Sequence, residues 1–527
     1  MNRNNNQNIR NSRSATRSNQ MSHTGQHRSA GAGYSANAGS GYGSGQVRRS
    51  MVTSHNGYHR NTPSQKRKKR RDNNGLALFI IILSVIAAVS IACIFLLDPS
   101  SQKNPSGIGT TGTSENRESD VRTDTSSDSV TSDSVSSSPT EKPSPYNEMT
   151  LLCTGDVMYH SQQIESAFNS TTGTYDFNST YAYIRDIVSD ADYAVANFET
   201  TLAGESYPYQ GFPRFNSPDT ALTALESAGF DMMLFANNHC YDTEHHGLIR
   251  TQQLFDSIGI DYIGARTDLN DKTYKIIEVN GIKLGMLNST DDLAYGNTAN
   301  RTLNGIKLAQ GDIPLIDIFN HSLLEEFYAS VSTSISAMKE NGADMIVFFI
   351  HWGNEYELKH NYMQETIAQK LCNLGVDVII GGHPHVVQDA DILTSESDPS
   401  HKTVCFYSLG NLVSNQNRLT MGDLYNKAYT ENGLIVELTI RKYNDGRCIV
   451  SNVKTVPLWV HRYHTADYSL RYNIIPIEKA LADPTGYGLY NSSFGFSHAT
   501  EALKMTNATL AGFVNAFAEE ITPFIPS

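Results

Sequence analysis

Histidines, carboxylates and carboxamides recur in short clusters along this chain: Gly155-Asp156, Asn197-Phe198-Glu199, Asn237-Asn238-His239, His351-Trp352-Gly353-Asn354-Glu355, Gly382-His383-Pro384-His385 and Gly410-Asn411. Imidazole nitrogens with carboxylate or carboxamide oxygens are the donor set of a divalent-metal centre. On an extended segment, His383 and His385 would turn both rings to one face and grip an ion between them. Asn197 and Glu199 are also two apart; they read as oxygen ligands or as a buried hydrogen-bonded pair. Asp156 reads as a metal ligand or as a helix N-cap. Asp242, three residues after His239, would hold that imidazole in one tautomer if a turn begins there. The alternative is a polar turn capping the next helix.

Each cluster directly follows an apolar run: 149–154, 193–196, 230–236, 345–350, 376–380 and 404–409. These runs are short, β-branched or aromatic, and mostly uninterrupted, as in strands covered on both faces. Segments with helical spacing lie between them at 222–228, 248–258, 323–339 and 363–374, and Gly229, Gly259, Gly342 and Gly375 separate helix from strand. Repeated βα units with glycine C-caps are predicted, with ligands just beyond the strand carboxyl ends. Strands over 433–441 and 448–457 and a terminal amphipathic helix over 499–519 are expected to complete the body.

The first 75 residues are low-complexity Asn, Ser, Gly and Arg ending in the basic run Lys66 to Arg71, and read as a disordered tail. Residues 76–97 carry no charge and are long enough to cross a bilayer, so an uncleaved transmembrane helix is expected, with the basic tail cytoplasmic and the body outside the cell membrane. A cleaved signal peptide is the competing reading. Residues 98–147 form a Ser/Thr/Pro-rich linker, 148–460 the main domain and 461–527 a C-terminal extension.

Charge divides at the same point. The first 71 residues hold 14 of the 41 bases and no acid, so the remainder sets 27 bases against 54 acids. A body at −27 argues against nonspecific nucleic-acid binding. An anionic substrate would need a metal or a few placed bases; Arg214 and Arg266, in glycine-bearing loops, are the candidate carboxylate contacts, with Glu355 and Asn411 as further substrate-binding candidates. Six cysteines without CxxC spacing give neither a zinc nor a redox motif. Cys240, beside His239, is expected to be a packed thiol.

In order and spacing, the motifs GDVM, ANFET, FNSP, FANNHCYD, IHWGNEY, GGHPHVVQ and YSLGNLV resemble the bacterial capsule synthesis (CapA) family of poly-γ-glutamate biosynthesis, over roughly Met149 to Val413. That family is similar to the calcineurin-like metallophosphoesterases. The resemblance implies an α/β fold, a four-layer α/β/β/α sandwich of metallophosphoesterase type, here preceded by the tail, membrane helix and linker. It implies that Asp156 is the first metal-ligand aspartate, that Asn238-His239 binds metal and protonates a leaving group, and that His351, His383 and His385 are later ligands. Two departures stand out: Met158 replaces a histidine, and Asn197-Phe198-Glu199 replaces a bridging Gly-Asp. A thioether is a poor ligand for hard ions, so one metal position depends on Glu199.

Two functions follow. One is a component of capsule or poly-γ-glutamate synthesis or export, working with a membrane polymer synthase and an anionic polymer. The other is an envelope hydrolase of phosphoester or γ-glutamyl amide bonds, with His239 as general acid and Asp242 behind it. Divalent Mn, Fe, Zn or Mg is the expected cofactor.

Overall fold

The computed structural model describes residues 145–292 and 300–521. The expected tail, membrane helix and nearly all of the linker lie outside these residues. Among the described residues, no helix is long and apolar enough to cross a membrane.

Two mixed sheets carry the body. The eight-stranded sheet runs Leu470–Pro476, Cys448–His464, Asn432–Tyr443, Tyr146–Val157, Tyr193–Phe198, Met232–Leu234, Asp261–Ile263, with Asn411–Val413 added in parallel to Tyr146–Val157. The seven-stranded sheet runs Ile318–Phe319, Ile282–Asp291, Met345–His351, Val378–Gly382, Lys402–Phe406, Ala390–Thr394, with Tyr274–Val279 on Ile282–Asp291. Alternation of side chains gives every central strand two buried faces. Met149, Leu151 and Cys153 meet Leu284, Met286, Val347 and Phe349 in an apolar layer between the sheets. Leu152, Ala194 and Ala196 face the helices Thr220–Ala228 and Glu244–Ile258 through Leu222, Leu225 and Phe255. Ile346, Phe348 and Ile350 face Leu324–Glu340 and Tyr362–Asn373 through Val331, Ile335, Ile367 and Leu371.

Helix ends follow the expected chemistry. Gly229 and Gly259 cap their helices at φ 105° and 83°, a left-handed conformation that glycine adopts without a Cβ clash.

The expected boundary at residue 460 falls inside a strand. Cys448–His464 continues past it and pairs with Leu470–Pro476, so residues after 460 complete the sheet instead of forming an extension. The helix Gly495–Glu520 then closes the inter-sheet layer with Leu510 and Phe513, whose ring lies 4.7 Å from Phe406. Deletion after residue 460 would expose this layer.

His461 in that strand is buried, stacked 4.7 Å from Trp459 and 2.9 Å from Ser492 Oγ. Burial, with His498 nearby, pushes its pKa down from 6.5 to about 4. Below pH 6.5 the unfolded chain takes up a proton that the fold resists until about pH 4, so stability is lost as pH falls through that window. At about 1.4 kcal/mol for each pH unit of that window, the loss is a few kcal/mol. Urea unfolding of wild type and His461→Gln should show a pH slope between these limits that is shallower in the variant.

Candidate metal centre

The site lies where both sheets present the carboxyl ends of parallel strands to each other. Asn197 follows Tyr193 and Val195 on the inter-sheet face, and Glu199 continues that face just beyond the strand end. Asp156 reaches the same face through a β-bulge: Cys153 pairs with Val195, yet Asp156, not residue 155, pairs with Asn197. One extra residue flips the side-chain parity of the strand end and re-aims the carboxylate inward. Gly155 permits the bulge, since a Cβ there would lie 1.9 Å from Gly410 O. From the facing sheet, His351 continues the inward set Val347 and Phe349. Gly382 lets that sheet approach, because its Cβ would stand 2.8 Å from Asp156 Oδ1.

His383 and His385 arrive differently from the extended pair predicted. Both follow the strand end in a bend, at φ 97° and 56°. Non-glycine residues are strained in this region, and the conformation persists here because the surroundings hold it. The His383 N–H donates to Asp156 Oδ2 at 3.3 Å, His385 Nδ1 lies 3.0 Å from the same oxygen, and Asn411 Nδ2 donates to His385 O at 3.3 Å.

Two donor groups result, Asp156–Glu199–His351 and Glu199–His383–His385, each with ligand atoms within 4.8 Å of one another and all buried. Glu199 belongs to both. Its Oε1 lies 3.6 Å from His351 Nε2 and 3.9 Å from His385 Nε2. His383 Nδ1 is 3.2 Å from His351 Nε2, which is 2.8 Å from Asn238 Oδ1. These separations suit ligands held at about 2.0–2.2 Å from one ion.

The electrostatics fit the same group. Among the described residues, Glu199 Oε1 and His385 Nε2 are buried without a hydrogen-bond partner, a costly arrangement that a cation between them would relieve. Burial first, then Asp156, Glu355 and Asp242, drives the Glu199 carboxyl well above its usual range. Burial and the neighbouring His383, His385 and His239 hold His351 far below 6.5, and burial with His385 puts His383 at about 4. Both are therefore neutral near pH 7, as ligation requires. Burial alone would lower His385, but the Asp156 hydrogen bond and charge, Glu355 and Asn411 raise it overall.

Asn197 takes the second of its two readings, a buried hydrogen-bonded partner of Glu199. Its Nδ2 donates to Asp156 Oδ1 at 2.8 Å and Glu199 Oε2 at 3.3 Å, while its Oδ1 accepts from Asn237 Nδ2 at 3.1 Å. It holds the two carboxylates together as a donor, and its oxygen is spent elsewhere. Asp242 occupies the expected turn, with Oδ2 2.7 Å from His239 Nδ1 and the Phe215 N–H donating to the same atom at 2.5 Å. Asn304 Nδ2 donates to Asp242 Oδ1 at 2.8 Å. An acceptor on Nδ1 makes it the protonated nitrogen and leaves Nε2 as the reactive one.

The candidate substrate contacts divide. Arg266 is buried, ion-paired with Asp317, and donates to Pro314 O, so its guanidinium is committed inside the fold and offers no carboxylate contact. Arg214 is exposed at the rim, 3.9 Å from Glu244, beside Phe215. Glu355 is exposed and acts on Glu199, His383 and His385 through its charge. Asn411 is buried, and its amide donates also to Gln416 Oε1 and Thr430 O at 3.0 Å each, so it positions the His385 bend. Cys240 is a buried free thiol pushed up to about 12 by burial, in keeping with packing.

His160 joins the site without having stood out in the sequence. Its ring meets Phe215 edge-on at 5.1 Å, and Phe215 meets His239 at 4.7 Å. Burial and the charges of His385 and His239 hold it at about 3. It closes the GDVMYH stretch two residues past Met158, the one available signal.

Residues 150–416, which contain every candidate ligand, match the family described as Bacterial capsule synthesis protein PGA_cap. The chain is similar to Capsule biosynthesis protein CapA of Bacillus anthracis, 28% identical over 274 residues, covering 51% of this chain and 60% of that protein. It is also similar to PGA biosynthesis protein CapA of Bacillus subtilis (strain 168), 27% identical over 280 residues, covering 52% and 65%. The matched part thus spans under two thirds of either relative. A hypothetical protein of known structure from Thermus thermophilus aligns at 14% identity and TM-score 0.33, over 59% of this chain and 98% of that one. By the match over half its length and the motifs that build its buried donor cluster, this chain belongs to the bacterial capsule synthesis protein PGA_cap family.

Proposed function

We propose that this chain is a membrane-anchored component of capsule or poly-γ-glutamate synthesis or export, with a sandwich of metallophosphoesterase type carrying a divalent-metal site outside the cell. The observation that carries the metal assignment is Glu199, shared by both donor groups and buried with an oxygen that has no partner among the described residues. It takes the place of the bridging Gly-Asp, so the loss of a histidine at Met158 does not empty the site of ligands. Asp156, Glu199, His351, His383 and His385 would hold the ion, with Asn238 beside His351. The mixed oxygen and imidazole set suits Mn, Fe or Zn better than Mg. The uncharged segment 76–97 behind a basic run supports the anchor, and a membrane synthase and its anionic product are the proposed partners.

One observation favours a catalytic form of this reading, a hydrolase of phosphoester or γ-glutamyl amide bonds. His239 has Nδ1 fixed by Asp242, and Nε2 makes no hydrogen bond among the described residues, as a general acid awaiting its leaving group requires. A divalent ion would supply Lewis-acid polarisation of the scissile group. Asp242 would keep the imidazole upright and stabilise its protonated form, and the buried walls would exclude water.

The test is genetic. Deleting the gene in its host should remove surface polymer, and wild type but not Glu199→Gln should restore it. Unchanged polymer in the deletion strain would contradict the assembly role; restoration by Glu199→Gln would remove the metal centre from it.

A further inference from the structure

A cavity of about 460 Å³, large enough for a ligand of several heavy-atom groups, lies apart from the donor cluster between the helix Ser161–Ala167, the hairpin that follows it, the turn Asn178–Tyr181 and the strand Leu470–Pro476. Two of its lining side chains, Gln163 and Arg471, bring donors to it. Gln163 is 2% exposed; its Oε1 accepts the His160 N–H at 2.9 Å, and among the described residues its buried Nε2 has no partner. Arg471 is oriented by Nη1 donating to Ser166 O at 3.3 Å and Leu470 O at 2.8 Å, and its Nε and Nη2 have no acceptor among the described residues. The cavity's one lining carboxylate, Asp176, is exposed at the rim, with Oδ1 already accepting from Asn178 N and Nδ2. Tyr159 and Phe177, rings 4.6 Å apart, give an apolar floor.

We propose that this cavity binds a carboxylate-bearing segment of an amide-linked acidic chain, with Arg471 and the Gln163 amide on the carboxylate and the aromatic floor under its methylenes. The buried Gln163 amide and the half-buried Arg471 guanidinium, both with donors to spare, select for a ligand that brings acceptors. The body carries many more acids than bases, so an acidic chain needs such a local site to settle. The first turn of one helix joins this cavity to the metal centre: His160 at its start is turned to Phe215, and Gln163 lines the cavity. A chain held here would keep its unreacted part beside the donor cluster. The choice of an amide-linked chain rests on the function proposed above.

The test is titration of the full-length, metal-loaded protein with a γ-glutamyl trimer, monitored by calorimetry. Gln163→Glu keeps the oxygen that caps the helix while replacing the donor by a negative charge, and Arg471→Gln removes the cation. Each should weaken binding about tenfold or more without changing metal content. Binding unchanged in both variants overturns the cavity assignment, and if that binding is also lost on chelation, the polymer reading stands while this site falls. Failure of the trimer to bind wild type, or equal binding of a galacturonate trimer, overturns the assignment to an amide-linked acidic chain.

Discussion

Glu199→Gln is expected to raise the melting temperature of the chelator-treated protein while removing most of its affinity for a divalent ion. Glu199 is fully buried, its Oε1 has no hydrogen bond among the described residues, and burial, Asp156, Glu355 and Asp242 all oppose its charge. For an acid whose folded pKa is raised, the unfolded chain loses its proton first. Stability of the metal-free protein therefore falls as pH rises from about 4.5 towards the folded value. The neutral isostere abolishes that loss, worth about 1–3 kcal/mol by the cost of an uncompensated buried polar group. With metal, the order reverses, because both donor groups lose their shared ligand and affinity drops by more than about a hundredfold. Scanning fluorimetry with chelator and with Mn checks both halves. A variant that melts lower without metal, or that keeps its metal, contradicts the assignment of Glu199.

Gly155→Ala is expected to be the most damaging single-methyl change in the site. The new Cβ would meet Gly410 O at 1.9 Å, backbone against backbone, where the Asp156 N–H donates to that same oxygen at 2.9 Å. Neither side can yield by a rotamer change, so the bulge or the neighbouring strand must move. Overpacking of this kind costs about 3 kcal/mol or more. Shifting the bulge also turns Asp156 away from His385, so metal content should fall with stability. Retention of wild-type stability and metal by Gly155→Ala would mean that the bulge does not aim Asp156.

These two positions show what the sequence could and could not reveal. Uninterrupted apolar runs identified the central strands, because burial on both faces demands them; Tyr193–Phe198 and Met345–His351 are buried throughout. The clusters after those runs were legible as one site because parallel strands deliver their carboxyl ends to the same edge. The bulge at Asp156 was not legible, since it depends on the register with Val195 and Asn197. Nor was the bend at His383 and His385, where hydrogen bonds to Asp156 and Asn411 impose a conformation that the residues alone disfavour. Arg266 looked available in a glycine-bearing loop, but its partner Asp317 lies 51 residues away, beyond local reading. Asn197 was recognisable as belonging to the site, while its role as donor depends on Asn237 claiming its oxygen. The strand Leu470–Pro476 escaped notice because Arg471, Asn473 and Pro476 interrupt its apolar pattern.

Metal content is the most direct test of the central claim. Elemental mass spectrometry of the purified full-length chain, with His383→Ala beside it, is predicted to find a stoichiometric divalent ion in wild type and its loss in the variant. Absence of metal from both, even after reconstitution with Mn, Fe or Zn, would contradict a metal centre built on Asp156, Glu199 and the three histidines.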